Sequence, residues 1–576
     1  MRHTRPTLAL ILALGLGLPA AAQEAPAAPA DTAQTADAGA YLAAQTAAIH
    51  RDYRAALALH VRALLADPQN PGLIEGAMIS AASLGDLPRA ITFAANLPNT
   101  SQTAQMVRVA DEAAREDFAA LLKGFSEGRQ LGLVIDGLVS AWAELGRGEM
   151  SAALADFDKV AGTPGLESFG LYHKALALAQ VGDLEGAEKI LSGETAGPLR
   201  MLRRGVIAHA QILSQLERNA DAVKLLAEGF PHGEDPGIDA LRARLEAGET
   251  VPFDVTRSPK DGIAEVFYTL ATALSGEAEN NFTLLHTRIA NYLRPDLTEA
   301  LLLSAGLLEA DGQYDLAVET YAQVPTDDQG WHLAEIGRAE ALEAAGKTEA
   351  ALEALRNLAR SHAGVLRVHV ALGDMLRRAE KYDEAITAYT AALDLVAAPQ
   401  EQHWVLFYTR GIAHERQKQW DQAEADFRKA LALSPDQAQV LNYLGYGFID
   451  MNRNLDEALA MIERAVELAP NTGYILDSLA WGYYRLGRYA DALAPMEKAS
   501  LMEPVDPIVT DHLGDVYWAV GRKLEARFQW RRALSFDPEE KEADRIRRKL
   551  EVGLDAVLAE EGAAPLKPVD AAANAD

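Results

Sequence analysis

The sequence predicts an all-α solenoid of antiparallel helix pairs stacked side by side. Two observations carry this expectation. Apolar residues recur at helical spacing in short pieces punctuated by Gly, Asp and Pro, with no credible run of strands. Small residues and prolines also return in step. Ala423, Ala458, Ala492 and Ala526 stand 35, 34 and 34 residues apart, and Ala430, Ala465, Ala499 and Ala533 repeat the same intervals. Pro435, Pro470, Pro504 and Pro538 keep step with them, as do Gly411, Gly445, Ala480 and Gly514.

Composition agrees. A chain of 576 residues is too long for one ordinary core and suits several domains or one elongated array. A hydrophobic fraction of 49% and a charged fraction of 24% are those of folded protein, and aromatics at 7% with Ala and Leu abundant favour helix over strand. The net charge of −29 repels nucleic acid and anionic lipid, so neither is an expected partner. There is no cysteine, which excludes disulfides, Cys-bound metal and a lipobox.

In chain order, Arg2 and Arg5 followed by the apolar run from Leu8 to Leu18 and Ala20-Ala21-Ala22 read as an export signal over 1–22. The run is too short to span a bilayer comfortably, so the expected location is periplasmic, with an uncleaved N-terminal anchor as the other reading. Residues 23–38 form an Ala/Pro-rich leader. Residues 39–247 hold degenerate repeats, about six. There Asp52-Tyr53 with Ala56 recurs as Asp86-Leu87 with Ala90, and Gly148 with Ala153 recurs as Gly182 with Ala187. A stretch rich in Pro and charge covers 248–263, either a junction between two superhelical halves or an irregular inter-helix loop. Eight well-formed repeats fill 264–540, the first carrying Ala271, Ala290 and Pro295. A polar capping helix covers 541–561 and a low-complexity tail 562–576.

Within each repeat the small residue of the first helix lets the second approach. The Ala near the start of the second helix returns the favour. The large residue four positions on (Phe427, Ile462, Met496, Trp530) fills the gap. Gly487 and Gly521 supply left-handed turns, and the proline ends the second helix.

A period of 34 with this order of residues resembles the tetratricopeptide (TPR) repeat, whose arrays wind into a superhelix with a concave groove lined by first helices. By that resemblance the groove residues here are Tyr408, Asn442, Tyr446, Asp477, Trp481, Tyr484, Arg485, Asp511, Asp515 and Trp518. The set is aromatic and acidic, and such rigid aromatics suit binding hot spots. The other place for Trp481 and Trp518 is in the packing between neighbouring repeats. TPR domains that capture C-terminal carboxylates use Lys, Asn and Arg in the groove. Asp477 and Asp511 stand in their place, so a basic or neutral segment suits this groove better.

Leu441 to Tyr446, Ile475 to Trp481 and Asp511 to Asp515 follow one another at repeat spacing. They resemble a family of exported proteobacterial TPR proteins that includes the adaptor of a periplasmic carboxy-terminal processing protease. That resemblance implies a scaffold for protein partners such as a protease or a cell-wall hydrolase. Those adaptors are lipidated on cysteine, which this chain lacks.

Catalytic motifs fail on inspection. Gly346-Lys347-Thr348 lacks the earlier glycine of a phosphate loop, Ala341 standing there, and His414-Glu415 meets Lys418 where a zinc-protease helix needs histidine. No G-x-S-x-G elbow occurs. No enzyme activity, metal or cofactor is therefore expected. The alternative function is a glycan-binding protein or enzyme acting through the aromatic and acidic groove, and a third is a structural assembly factor that oligomerises through its own repeats.

Overall fold

A computed structural model describes residues 37–567 except 196, 198, 200, 232 and 234. The export signal, nearly all of the leader and the last residues of the tail lie outside the described residues. Among these, all regular structure is helical, and the helices pair into a superhelical solenoid. Six hairpins occupy 38–64, 71–94, 102–126, 133–161, 167–191 and 203–229. A single helix, Pro236–Glu246, follows. Eight more hairpins occupy 259–293, 298–321, 331–361, 366–394, 404–433, 438–468, 473–502 and 507–534. Where the sequence suggests one capping helix, there are two, Glu540–Val552 and Leu554–Glu560, broken at Gly553 with φ +87°.

Helix starts are fixed by short polar side chains. Asp52, Asp86, Asp117 and Asp183 each accept a hydrogen bond from a backbone N–H in the first turn of the helix that follows. The turn inside each hairpin needs one left-handed residue. Glycine fills it at Gly487 and Gly521, but Arg51, Glu116, Glu217, Glu380, Lys418 and Asn452 adopt the same conformation at a steric cost. Glu380 is exposed, with φ +58°. The change Glu380→Gly is expected to raise stability by about 0.5–1 kcal/mol, since relief of the left-handed cost exceeds glycine's entropy. Urea denaturation checks it, and a loss of stability would contradict it.

The close approach inferred from the repeat holds. Ala423, Ala458, Ala492 and Ala526 are fully buried, as are Phe427, Ile462, Met496 and Trp530. A Cβ on Gly445 would lie 2.9 Å from the Ala458 carbonyl oxygen, so this helix pair tolerates nothing larger than glycine there.

The junction departs from a simple connection between two halves. Residues 251–255 run extended along the Arg203–Gln215 helix. Ser214 Oγ accepts from Val251 N at 2.9 Å, and Gln211 exchanges two bonds with Asp254, at 2.7 and 3.1 Å. The seventh hairpin, 259–293, then packs against the first helices of the second to fifth hairpins. Gly262 lies against Trp142, where a Cβ would meet the indole at 2.2 Å. Glu265, fully buried, is held by Arg204 at 2.8 Å and by the Tyr172 hydroxyl at 2.9 Å. At the far end Arg51 pairs with Asp311, Arg54 with Glu319, and the Tyr53 hydroxyl bonds Asn281. The first half therefore closes into a ring around a hairpin of its own chain.

Two buried histidines belong to this closure. Trp142 Nε1 donates to His173 Nδ1 at 3.2 Å, so the proton of His173 sits on Nε2 and faces the Thr269 hydroxyl at 3.2 Å. His286 packs against Phe267 and Phe282. Burial pushes His173 down to about 3 and His286 down to about 4. Below pH 6.5 the unfolded chain takes up protons that the folded chain refuses, so the stability these groups contribute is present above 6.5 and lost as pH falls toward their folded values. By pH 5 the loss is about 2 kcal/mol for each histidine. Thermal melts are expected to show a lower Tm at pH 5 than at pH 7, with a smaller drop in His173→Gln. Equal drops in both proteins would contradict this.

Candidate functional site

The concave face of the second half runs along the first helices of the later hairpins. At four of the small positions the next residue lines it: Glu340 after Ala339, Asp374 after Gly373, Tyr446 after Gly445 and Trp481 after Ala480. One stretch is a hollow of about 400 Å3 lined by Tyr321, Glu340, Arg367 and Asp374 among others. The Tyr389 hydroxyl donates to Asp374 at 2.6 Å. Burial pushes Glu309, beside Tyr321, up to about 7, and Glu340 also upward. In the sequence this stretch is marked only by Glu340 and Asp374, each one residue after a small position, Ala339 and Gly373.

Further along lies a smaller pocket of about 240 Å3, with Tyr446, Trp481, His512, Glu542 and Arg545 in its lining. The Trp481 indole stacks on the imidazole of His512, centroids 3.9 Å apart, and on the ring of Tyr484 at 4.7 Å. His512 Nδ1 meets Asp477 at 3.0 Å. Burial acts to lower the pKa of His512, but the charge and hydrogen bond of Asp477, with Asp511 and Asp515 behind it, outweigh burial and raise it. Burial first, then the charges of Asp477 and Asp450, pushes the Tyr446 phenol upward.

The ten residues read from the sequence therefore separate. Tyr446, Trp481 and Asp511 line the pocket together, over the Asp477–His512 pair. Tyr484 is buried beneath Trp481, and Arg485 is half-buried, its guanidinium 3.5 Å from the Asp450 carbonyl oxygen. Tyr408, in the hairpin before that of Tyr446, packs with Tyr443, Phe427 and Trp404. Asn442 is buried, its Oδ1 without a donor.

Asp515 and Trp518 face the cap, and Asp511 meets it from the pocket's floor. Lys549, with no exposure at all, donates to Asp511 at 2.7 and 2.8 Å and to Asp515 at 2.6 Å. Trp518 is buried under Gly553, against Trp530, and donates to Asp555 at 2.9 Å. Burial and the neighbouring Asp515 carboxylate raise the pKa of Asp511 against the pull of Lys549.

Tetratricopeptide repeat profiles match residues 364–436, 408–472 and 478–541. A TPR repeat-containing protein of Pseudomonas aeruginosa is 27% identical over 226 residues, 39% of this chain and 31% of that protein. Protein O-mannosyl-transferase TMTC1 of Homo sapiens is 27% identical over 134 residues, 23% of this chain and 15% of that protein. The chain thus spans less than a third of the length of either relative. Among solved structures, the APC/C hetero-tetramer Cut9–Hcn1 is similar over 89% of this chain and 96% of that chain, at 15% identity and a TM-score of 0.38. A tetratricopeptide repeat protein from Parabacteroides merdae is similar over 45% of this chain and 98% of that one, at 17% identity and a TM-score of 0.37.

Proposed function

We propose that this chain, whose C-terminal hairpins are tetratricopeptide repeats, is a non-enzymatic adaptor that holds a segment of a protein partner in the groove of its second half. The observation that carries the reading is the contrast between the two concave faces. The first is filled by the chain's own 259–293 hairpin, with Trp142 and Glu265 fully buried in the contact. The second presents Tyr446 and Trp481 around a pocket, with a half-buried Arg485 nearby. Aromatic side chains fixed in place and backed by polar partners are what a hot spot requires. The compartment in this proposal is the periplasm, a reading supported by Arg2, Arg5 and the apolar run that follows. The role is maintenance of the cell envelope, with a protease or a wall hydrolase as partner. Among the described residues no helix is long and apolar enough to cross a membrane.

Affinity capture from periplasmic extract tests this, with wild type beside a Tyr446→Ala, Trp481→Ala double variant shown to be folded by its melting curve. Wild type is expected to retain a protein partner and the variant to lose at least tenfold of it. Capture indifferent to the two substitutions would overturn the groove assignment. Binding of purified wild type to peptidoglycan fragments, lost in the variant, would favour a glycan ligand instead.

A further inference from the structure

Resting on the groove reading above, we propose that the pocket at the C-terminal end of the groove takes a cationic side chain, arginine or lysine, from a partner segment whose next residue is apolar. The pocket of about 240 Å3 lies between the inner helices of the last three hairpins and the Glu540–Val552 helix. Tyr446 and Trp481 form an aromatic wall, and Trp481 is immobilised by its stacking on His512 and Tyr484. Such a wall accommodates the stem and the charged end of a basic side chain.

The charges decide the sign. The cations in the pocket's lining and directly behind it are already engaged by carboxylates, while Arg485, beside it, turns to the Asp450 carbonyl oxygen. Arg545 meets Glu561 at 2.8 Å and Asp515 at 3.4 Å, Lys549 is held by Asp511 and Asp515, and His512 by Asp477. The acceptors are in surplus. Glu542 lines the pocket, and its Oε2 is shielded from solvent without a hydrogen-bond partner. Asn442, one helical turn before Tyr446, is buried with its Oδ1 also lacking a donor. A shielded carboxylate oxygen without a donor is costly and calls for a charge-assisted one. The turns leading to the pocket add Glu503, Asp537 and Glu539 against Lys541, a field that draws a cation in. At the lip, Ile508 is 51% exposed and Val505, on the preceding turn, 69%, a seat for the apolar neighbour.

Calorimetric titration of the full chain with blocked octapeptides tests the proposal. One Ala/Ser host carries a central Arg-Leu pair, and its counterparts carry Lys-Leu, citrulline-Leu or Glu-Leu. The Arg and Lys peptides are expected to bind, the citrulline peptide at least tenfold more weakly and the Glu peptide not at all. Glu542→Gln, at a half-buried position, is expected to bring the Arg peptide down to the citrulline level with an unchanged melting curve. Equal affinity for Arg and citrulline, or an Arg affinity unmoved by Glu542→Gln, would remove the subsite while leaving the groove reading in place. No binding by any peptide would also remove it, and the capture experiment above then judges the groove by itself.

Discussion

Replacing Gly262 by leucine is expected to expel the 259–293 hairpin from the first half and to lower stability by about 3 kcal/mol, the upper range for overpacking a close contact. Trp142 is fully buried and has no room to retreat: Phe157 stands edge-on at 5.6 Å and His173 holds its Nε1–H. Even a methyl at position 262 would sit 2.2 Å from the indole. Once displaced, Glu265 also leaves Arg204 and Tyr172, so the ring opens as a unit. Limited proteolysis is the check. The variant is expected to be cut in 247–258 while the later hairpins stay resistant, as in an array whose repeats contact only neighbours. A variant as resistant as wild type in that segment would show that the hairpin does not depend on this contact.

The second large effect is expected at Lys549. Changing it to methionine leaves Asp511 and Asp515 facing each other without their cation, and removing one partner of a buried pair costs about 3–5 kcal/mol. Asp515 would keep Trp530 Nε1 at 2.9 Å and Arg545 at 3.4 Å, so part of the network survives. The outcome expected in hydrogen exchange is loss of protection in helices Glu540–Val552 and Pro507–Ala519, with the fourth to sixth hairpins unaffected. If protection at Pro507–Ala519 is unchanged, the lysine is not what holds the cap.

The better-formed repeats were legible because burial allows little choice there. Gly411, Gly445 and Gly514 are small since Phe427, Ile462 and Trp530 lie against them. The left-handed turn residue is not what separates the halves, since Arg51, Glu116 and Glu217 in the first are matched by Glu380, Lys418 and Asn452 in the second. The 264–294 segment carried repeat residues, but nothing in it announced that its helix would lie in another groove. Glu265 and Thr269 look like a solvated face until Arg204 and His173 are placed opposite them. The same blindness applies to the site. The repeat register put Trp518 in the groove beside Trp481. Yet Lys549, read from sequence as one charge of a polar cap, turns inward and brings Gly553 down over that indole. Tyr446 and Trp481 needed only their own hairpins to be placed, and they line one pocket.

The central claim is that one concave face is occupied by the chain itself and the other receives partners. Hydrogen exchange of the full chain, alone and with the protein it captures, tests this most directly. New protection is expected in helices Ala438–Asp450 and Gly473–Arg485, with Leu133–Gly146 and Glu167–Gln180 unchanged. New protection, or deprotection, centred on Leu133–Gly146 and Glu167–Gln180 would mean that the partner enters the first half and displaces the resident hairpin, and would contradict it.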